Sequence, residues 1–126
     1  MLSAIHTNKA PAAVGPYSQA MQVGNLIYVS GQLPLNPETM ELVNDTIEAA
    51  TAQSLENCKA IVEAAGSDFN HVVKVEIFMK DMNDFAKMNE VYATYFVDHK
   101  PARAAVEVAR LPKDAIVEIQ MVAAIK

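Results

Sequence analysis

Val117-Glu-Ile-Gln-Met-Val-Ala-Ala-Ile125 is the stretch that decides the fold. Successive side chains of a strand point to opposite sides. Val117, Ile119, Met121, Ala123 and Ile125 therefore share one face, and all are apolar. Ile116, Glu118, Gln120, Val122 and Ala124 share the other. The first face must be covered by helices. The second is too apolar for water and too polar for a closed core, a mixture typical of a subunit interface. The expectation is a sheet with helices on one side and another copy of the chain on the other.

Working back from that strand, residues 102–110 read as a further strand, which could pair with residues 115–125 as a hairpin. A helix precedes it, capped by Asn83 or Asp84, with Phe85, Met88, Tyr92 and Tyr95 or Phe96 as its apolar stripe. Residues 71–80 alternate, with Val73, Val75, Ile77 and Met79 on one face. A longer helix spans about 47–65. Thr46 or Asp45 caps it, Gly66 stops it, and Leu55, Cys58, Val62 and Ala65 form its buried stripe. Residues 17–30 read as two strands hinged at Gly24-Asn25, and the proline- and glycine-bearing residues 10–16 and 31–45 as irregular segments. The predicted order is ββαβαββ: an α+β domain with a mixed sheet and two helices on one face.

The 126 residues suit a single domain over 1–126. Hydrophobic residues make up 52% and charged residues 20%, enough for a core and far from the disordered class. The net charge of −5 and the lack of a basic cluster argue against nucleic acid as a partner. No apolar run approaches the roughly 20 residues that span a bilayer, so no membrane partner is expected. The N-terminus lacks the pattern of a signal peptide, and Cys58 is the only cysteine, so a cytoplasmic location is the default.

Of ten cationic side chains only Arg103 and Arg110 are arginine. A guanidinium can grip a carboxylate with two parallel hydrogen bonds, which lysine cannot. Arg103 shares a strand face with the small Ala105 and Ala109 and with Glu107. In a hairpin it could approach Glu118 across the sheet. Residue types alone favour a structural ion pair for these two, with an anion grip as the alternative. Asn89 lies four residues after Phe85, beside the helix stripe, and on residue type alone reads as a cap or a tertiary hydrogen bond. Tyr17 and Ser30 sit at strand ends near glycines, where a ligand can approach the backbone, but singly they are ordinary. Cys58 reads as an inert core residue. His6, His71 and His99 have no metal-ligand spacing, and no phosphate loop or dinucleotide fingerprint is present.

Gly15-Pro-Tyr-Ser-Gln19, Val29-Ser-Gly-Gln-Leu-Pro34, Met82-Asn-Asp-Phe85 with Asn89-Glu-Val-Tyr92, and Pro101-Ala-Arg103 through Leu111-Pro112 to Val117-Glu-Ile119 closely resemble the Rid/YjgF family, more narrowly its archetypal enamine/imine deaminase branch. The likeness runs in order through nearly the whole chain. It implies a chorismate-mutase-like α+β fold, a homotrimer with clefts between subunits, and cofactor-independent hydrolysis of 2-imino acids and their enamine tautomers to 2-keto acids and ammonia. Residue by residue, it implies that Arg103 binds the substrate carboxylate and Glu118 positions water, with Tyr17, Ser30, Gly31 and Asn89 lining the cleft. Many relatives carry cysteine where this chain has Ala105, so the resemblance leaves Ala105 only a backbone contact with ligand and no reactive thiol. With the resemblance, a site is favoured over the ion pair. A non-catalytic binder of small keto or amino acids is the alternative from another class, and an endoribonuclease, an activity of some relatives, is a third.

Overall fold

In a computed structural model describing residues 1–126, the chain runs β1 (Leu2–Ile5), β2 (Ala20–Val23), β3 (Leu26–Gln32), α1 (Ile47–Ala64), β4 (Val72–Met79), α2 (Phe85–Tyr95), β5 (Ala102–Glu107) and β6 (Val117–Ala124). The boundaries of α1 follow local chemistry. The Thr46 hydroxyl accepts from the Ala49 N–H at 3.0 Å, satisfying a donor that every helix start leaves free. At the other end Gly66 takes a φ of 87°, while Gly66 N donates to Glu63 O and Ser67 N to Val62 O. Those two bonds across a left-handed glycine close the helix.

The six strands form one mixed sheet in the order β1-β2-β3-β6-β4-β5. Only β4 and β5 run parallel, linked across α2. α1 packs on β3 and β6, and α2 packs on α1, so the helices cover one face. Between them lie Ile27, Val29, Leu55, Ile61, Val62, Val75, Ile77, Met79, Met88, Val117, Ile119 and Met121. Burial alternates without a break along β6, as its sequence predicts. Glu118, Gln120, Val122 and Ala124 are half-buried on the face that no element covers, beside Tyr28 and Val106, which are 49% and 46% exposed.

Several expectations are corrected. The order is βββαβαββ: β1 adds an edge strand that lacks alternation, since Leu2, Ser3 and Ala4 are all exposed and the strand is held by backbone pairing to β2. The stretch beginning at residue 17 becomes a strand only at Ala20. Val73 does not share the buried face, because pairing to β6 slips between Val72 and Lys74 and turns Val72 inward, leaving Val73 48% exposed. Neither Asn83 nor Asp84 caps α2 through its side chain; Asp81 instead accepts from Asn83 N at 2.9 Å and starts a 3₁₀ turn leading into the helix. Finally, β5 and β6 form no hairpin. β6, fully buried on one face and half-buried on the other, takes a central place between β3 and β4, whereas β5, mostly exposed, becomes the edge.

Candidate functional site

Strand order separates the two residues expected to approach each other. Arg103 stands opposite Val75, a core residue, so its side chain rises on the helix-covered side. Glu118 stands opposite Phe78 and points to the uncovered side. With β4 between their strands, the backbones are about 10 Å apart at the usual strand spacing. The expected intrachain ion pair is absent: neither residue takes part in a salt bridge.

The Arg103 side is built by α2. Phe85, Asn89 and Tyr92 are spaced by four and three residues, one stripe of a helix. The guanidinium carbon lies 4.7 Å from the Tyr92 ring centroid and 5.5 Å from that of Phe85, within range of cation–π attraction. Nη1 donates to Asn89 Oδ1 at 2.6 Å. That is Arg103's one hydrogen bond to a side chain of the chain, out of five donors. Asn89, Tyr92, Ala93, Phe96, Lys100, Pro101 and Arg103 line a cavity of about 420 Å³ here. The Tyr92 hydroxyl is buried without a partner. Burial raises its pKa, and the neighbouring guanidinium partly offsets this. Ala105 stands opposite Ile77 on the same side and packs on the core, two residues along from Arg103.

The Glu118 side gathers Tyr17, Ser30 and Gly31 in a cleft of about 530 Å³, while Asn89 lies in the other cavity with Arg103. Its remaining wall includes Val14, Leu33, Leu35, Pro112 and Lys113. The Glu118 carboxylate has no hydrogen-bond partner in the chain, and burial pushes its pKa above the usual carboxylate value. Ser30 Oγ donates to Ser18 O at 2.6 Å and Ser30 N to Gln19 O at 2.9 Å.

Sequence reasoning missed Gln19. It is 2% exposed; its Oε1 accepts from Thr7 N at 2.8 Å, and its Nε2 donates to Thr7 O at 3.0 Å and Pro11 O at 2.8 Å. It thereby holds the segment that supplies Pro11 and Ala12 to the cleft wall. An amide in a segment otherwise read as strand was the available signal. Phe85 and Tyr92 were read as core stripe alone, although their phase with Asn89 was visible.

Other candidates fall away. Cys58 is fully buried, its thiol pushed far up by burial, which leaves it protonated and inert. His71 pairs with Asp68 at 2.7 Å and His99 Nε2 lies 2.6 Å from Val72 O, and neither lines these cavities. The largest cavity, about 630 Å³ between α1 and the N-terminal segment, carries Lys9, Glu56, Lys59 and Glu63. Its buried amide, Asn57, is fully bonded to Leu33 O, Leu35 O and Gln53. No helix is long and apolar enough to cross a membrane.

A family model described as endoribonuclease L-PSP matches residues 7–125. A RutC family protein of Pyrococcus horikoshii is 56% identical over 123 residues, 98% of each chain. The 2-iminobutanoate/2-iminopropanoate deaminase of Escherichia coli is 51% identical over 126 residues, again 98% of each. Among solved structures, the E. coli YjgF gene product has a TM-score of 0.94 at 49% identity, covering 98% of this chain and 99% of that one. E. coli TdcF with bound serine has a TM-score of 0.94 at 43% identity, with the same coverage.

Proposed function

This chain belongs to the YjgF/Rid family, whose model is described as endoribonuclease L-PSP, and we propose on that premise that it hydrolyses reactive 2-imino acids, such as 2-iminopropanoate and 2-iminobutanoate, to 2-keto acids and ammonia. The observation that carries this reading is Arg103. Two aromatic rings and an amide hold the guanidinium, yet no carboxylate of the chain touches it. An arginine so held is poised for an external carboxylate.

The chemistry asks little else of the protein. Arg103 fixes the substrate carboxylate. Glu118 accepts a proton from water as its oxygen bonds to the imine carbon and the C=N double bond opens, giving a carbinolamine. That proton passes from Glu118 to nitrogen to complete the carbinolamine; Glu118 then takes the hydroxyl proton and hands it to nitrogen, so that the carbonyl forms as the C–N bond breaks and ammonia leaves. A carboxylate with a raised pKa suits both transfers, since general catalysis is most effective when the pKa lies near working pH. Enamines such as 2-aminoacrylate enter by tautomerising to imines.

Arg103 and Glu118 open on opposite sides of one sheet, so one chain does not assemble this site. We propose a closed ring, a homotrimer, in which the Arg103 side of one copy meets the Glu118 side of the next. The uncovered apolar face with Tyr28, Val106 and Val122 supports the same assembly.

Freshly generated 2-iminopropanoate, followed by keto-acid or ammonia release against its spontaneous decay, tests the reaction. Release no faster than decay would remove the deaminase reading. A second reading, a non-catalytic binder of small amino or keto acids, is favoured by the serine bound in TdcF; calorimetric binding of serine without turnover is its signature. For ribonuclease activity, the net charge of −5 and the absence of histidine from both cavities offer no support.

A further inference from the structure

We propose that Gly31 is the positioning residue of Glu118: its missing side chain makes the space in which the carboxylate is held. The inference rests on the hydrolytic role given to Glu118 above, but its geometric half stands alone. A Cβ built on Gly31 would lie 2.7 Å from Glu118 Oε2, 2.9 Å from Cδ and 3.2 Å from Cγ. Those three atoms are its nearest neighbours, and all belong to Glu118. Backbone conformation makes no demand for glycine here. Gly15, Gly24 and Gly66 have positive φ, and Gly31 does not, so alanine can adopt its backbone angles. A glycine inside a strand otherwise only costs conformational entropy.

Local structure fixes both partners. Pairing between β3 and β6 shifts between Val29 and Gln32, which bulges Ser30 and Gly31 out of register beneath Glu118. The bulge cannot retreat: Ser30 is bonded through Oγ to Ser18 O, through N to Gln19 O, and its carbonyl accepts from Gln32 Nε2 at 3.1 Å. A methyl group at position 31 must therefore move the carboxylate, which is the free end of a flexible side chain, away from the strand and into the cleft. The titratable groups sharing that cleft are Tyr17 and Lys113. On β4, Phe78 is opposite Glu118, and Glu76 is diagonal, with its Oε1 accepting from Gln120 Nε2 at 2.9 Å. In the proposed ring the neighbouring copy adds Arg103.

The test is a double-mutant cycle between Gly31→Ala and Glu118→Ala, together with the kinetics and pH profile of Gly31→Ala. Gly31→Ala is expected to act less favourably on the melting temperature of the parent than on that of Glu118→Ala, where the clash has gone. An equal shift in both backgrounds, or failure of the double variant to fold, would overturn the proposal. In turnover, Gly31→Ala should lose about 10²-fold in kcat with KM nearly unchanged, the scale of an ångström's misplacement. Its acidic limb should move to lower pH as the carboxylate becomes better solvated, and a ¹³C titration of Glu118 should show the same shift without substrate. Parental kcat and an unmoved titration would also overturn it. If the parent hydrolyses no 2-imino acid, the functional reading fails separately, while the stability cycle and the titration still decide the Gly31–Glu118 relation.

Discussion

Arg103 is held by the rings of Phe85 and Tyr92 and by the amide of Asn89, and a flat guanidinium can make all three contacts while keeping donors free for a ligand. An ammonium keeps the charge but loses the parallel pair of donors and fits the stacked site poorly. A hydrogen bond to a charged group is worth about 1.5–3 kcal/mol, so losing one corresponds to roughly 10–10²-fold in affinity. Arg103→Lys is therefore expected to lower kcat/KM by about that factor, chiefly through KM; near-parental steady-state kinetics would contradict the carboxylate grip. Glu118 adds a pH argument. Its folded pKa is raised by burial. Between the unfolded and folded values, the folded chain keeps a proton that the unfolded chain has lost, so stability falls as pH rises through that window. Glu118→Gln removes this cost. It should melt higher than the parent at about pH 8, with the gain vanishing below about pH 4, near the ordinary glutamate pKa. Its kcat should fall by about 10²–10⁴-fold and lose the acidic limb. A variant that is both less stable at neutral pH and fully active would refute both halves.

At the scale of elements, α1 and β6 were legible because long, regular periods carry them: steps of three and four through Leu55, Cys58 and Val62, and unbroken alternation from Val117 to Ala124. Alternation tells which face a side chain takes but not which strand lies beside it. That is why Arg103 and Glu118 were expected to approach each other within one chain and do not: the parallel pairing of β5 to β4 depends on a crossover through α2 that no local pattern records. β1 and the slip at Val72–Lys74 were invisible for a related reason, since backbone pairing alone creates them. Gln19 shows the same limit at the site, where a side chain acts as a backbone partner for a segment 8–12 residues away. Gln19→Leu keeps the bulk and removes these bonds. Leaving buried groups unpaired costs about 1–3 kcal/mol. A denaturant midpoint lowered accordingly, with faster proteolysis near Thr7–Pro11, is expected; unchanged unfolding would mean that the segment is held by other contacts.

For the whole molecule, the decisive fact is that the two cavities open on opposite sides of one sheet. A site containing both Arg103 and Glu118 must then draw them from different copies, and this makes a prediction that no intrachain site shares. Arg103→Ala and Glu118→Ala should each be inactive alone. Mixed and reassembled, they should regain activity, because every contact between an intact Arg103 side and an intact Glu118 side rebuilds one complete site. With equal amounts and random association in a closed ring, half of the Arg103 sides and half of the Glu118 sides are intact, so roughly a quarter of the junctions are complete. Recovered kcat per site should approach about that fraction of the parent's, and should fall on dilution below the assembly's dissociation constant. Arg103 lies on the helix-covered side, and Glu118→Ala only trims a side chain on the open face without adding bulk or charge beside Val122, so both should still assemble by light scattering. Inactive mixtures in which subunit exchange has been shown by mass spectrometry would place the reaction within one chain and overturn the shared site.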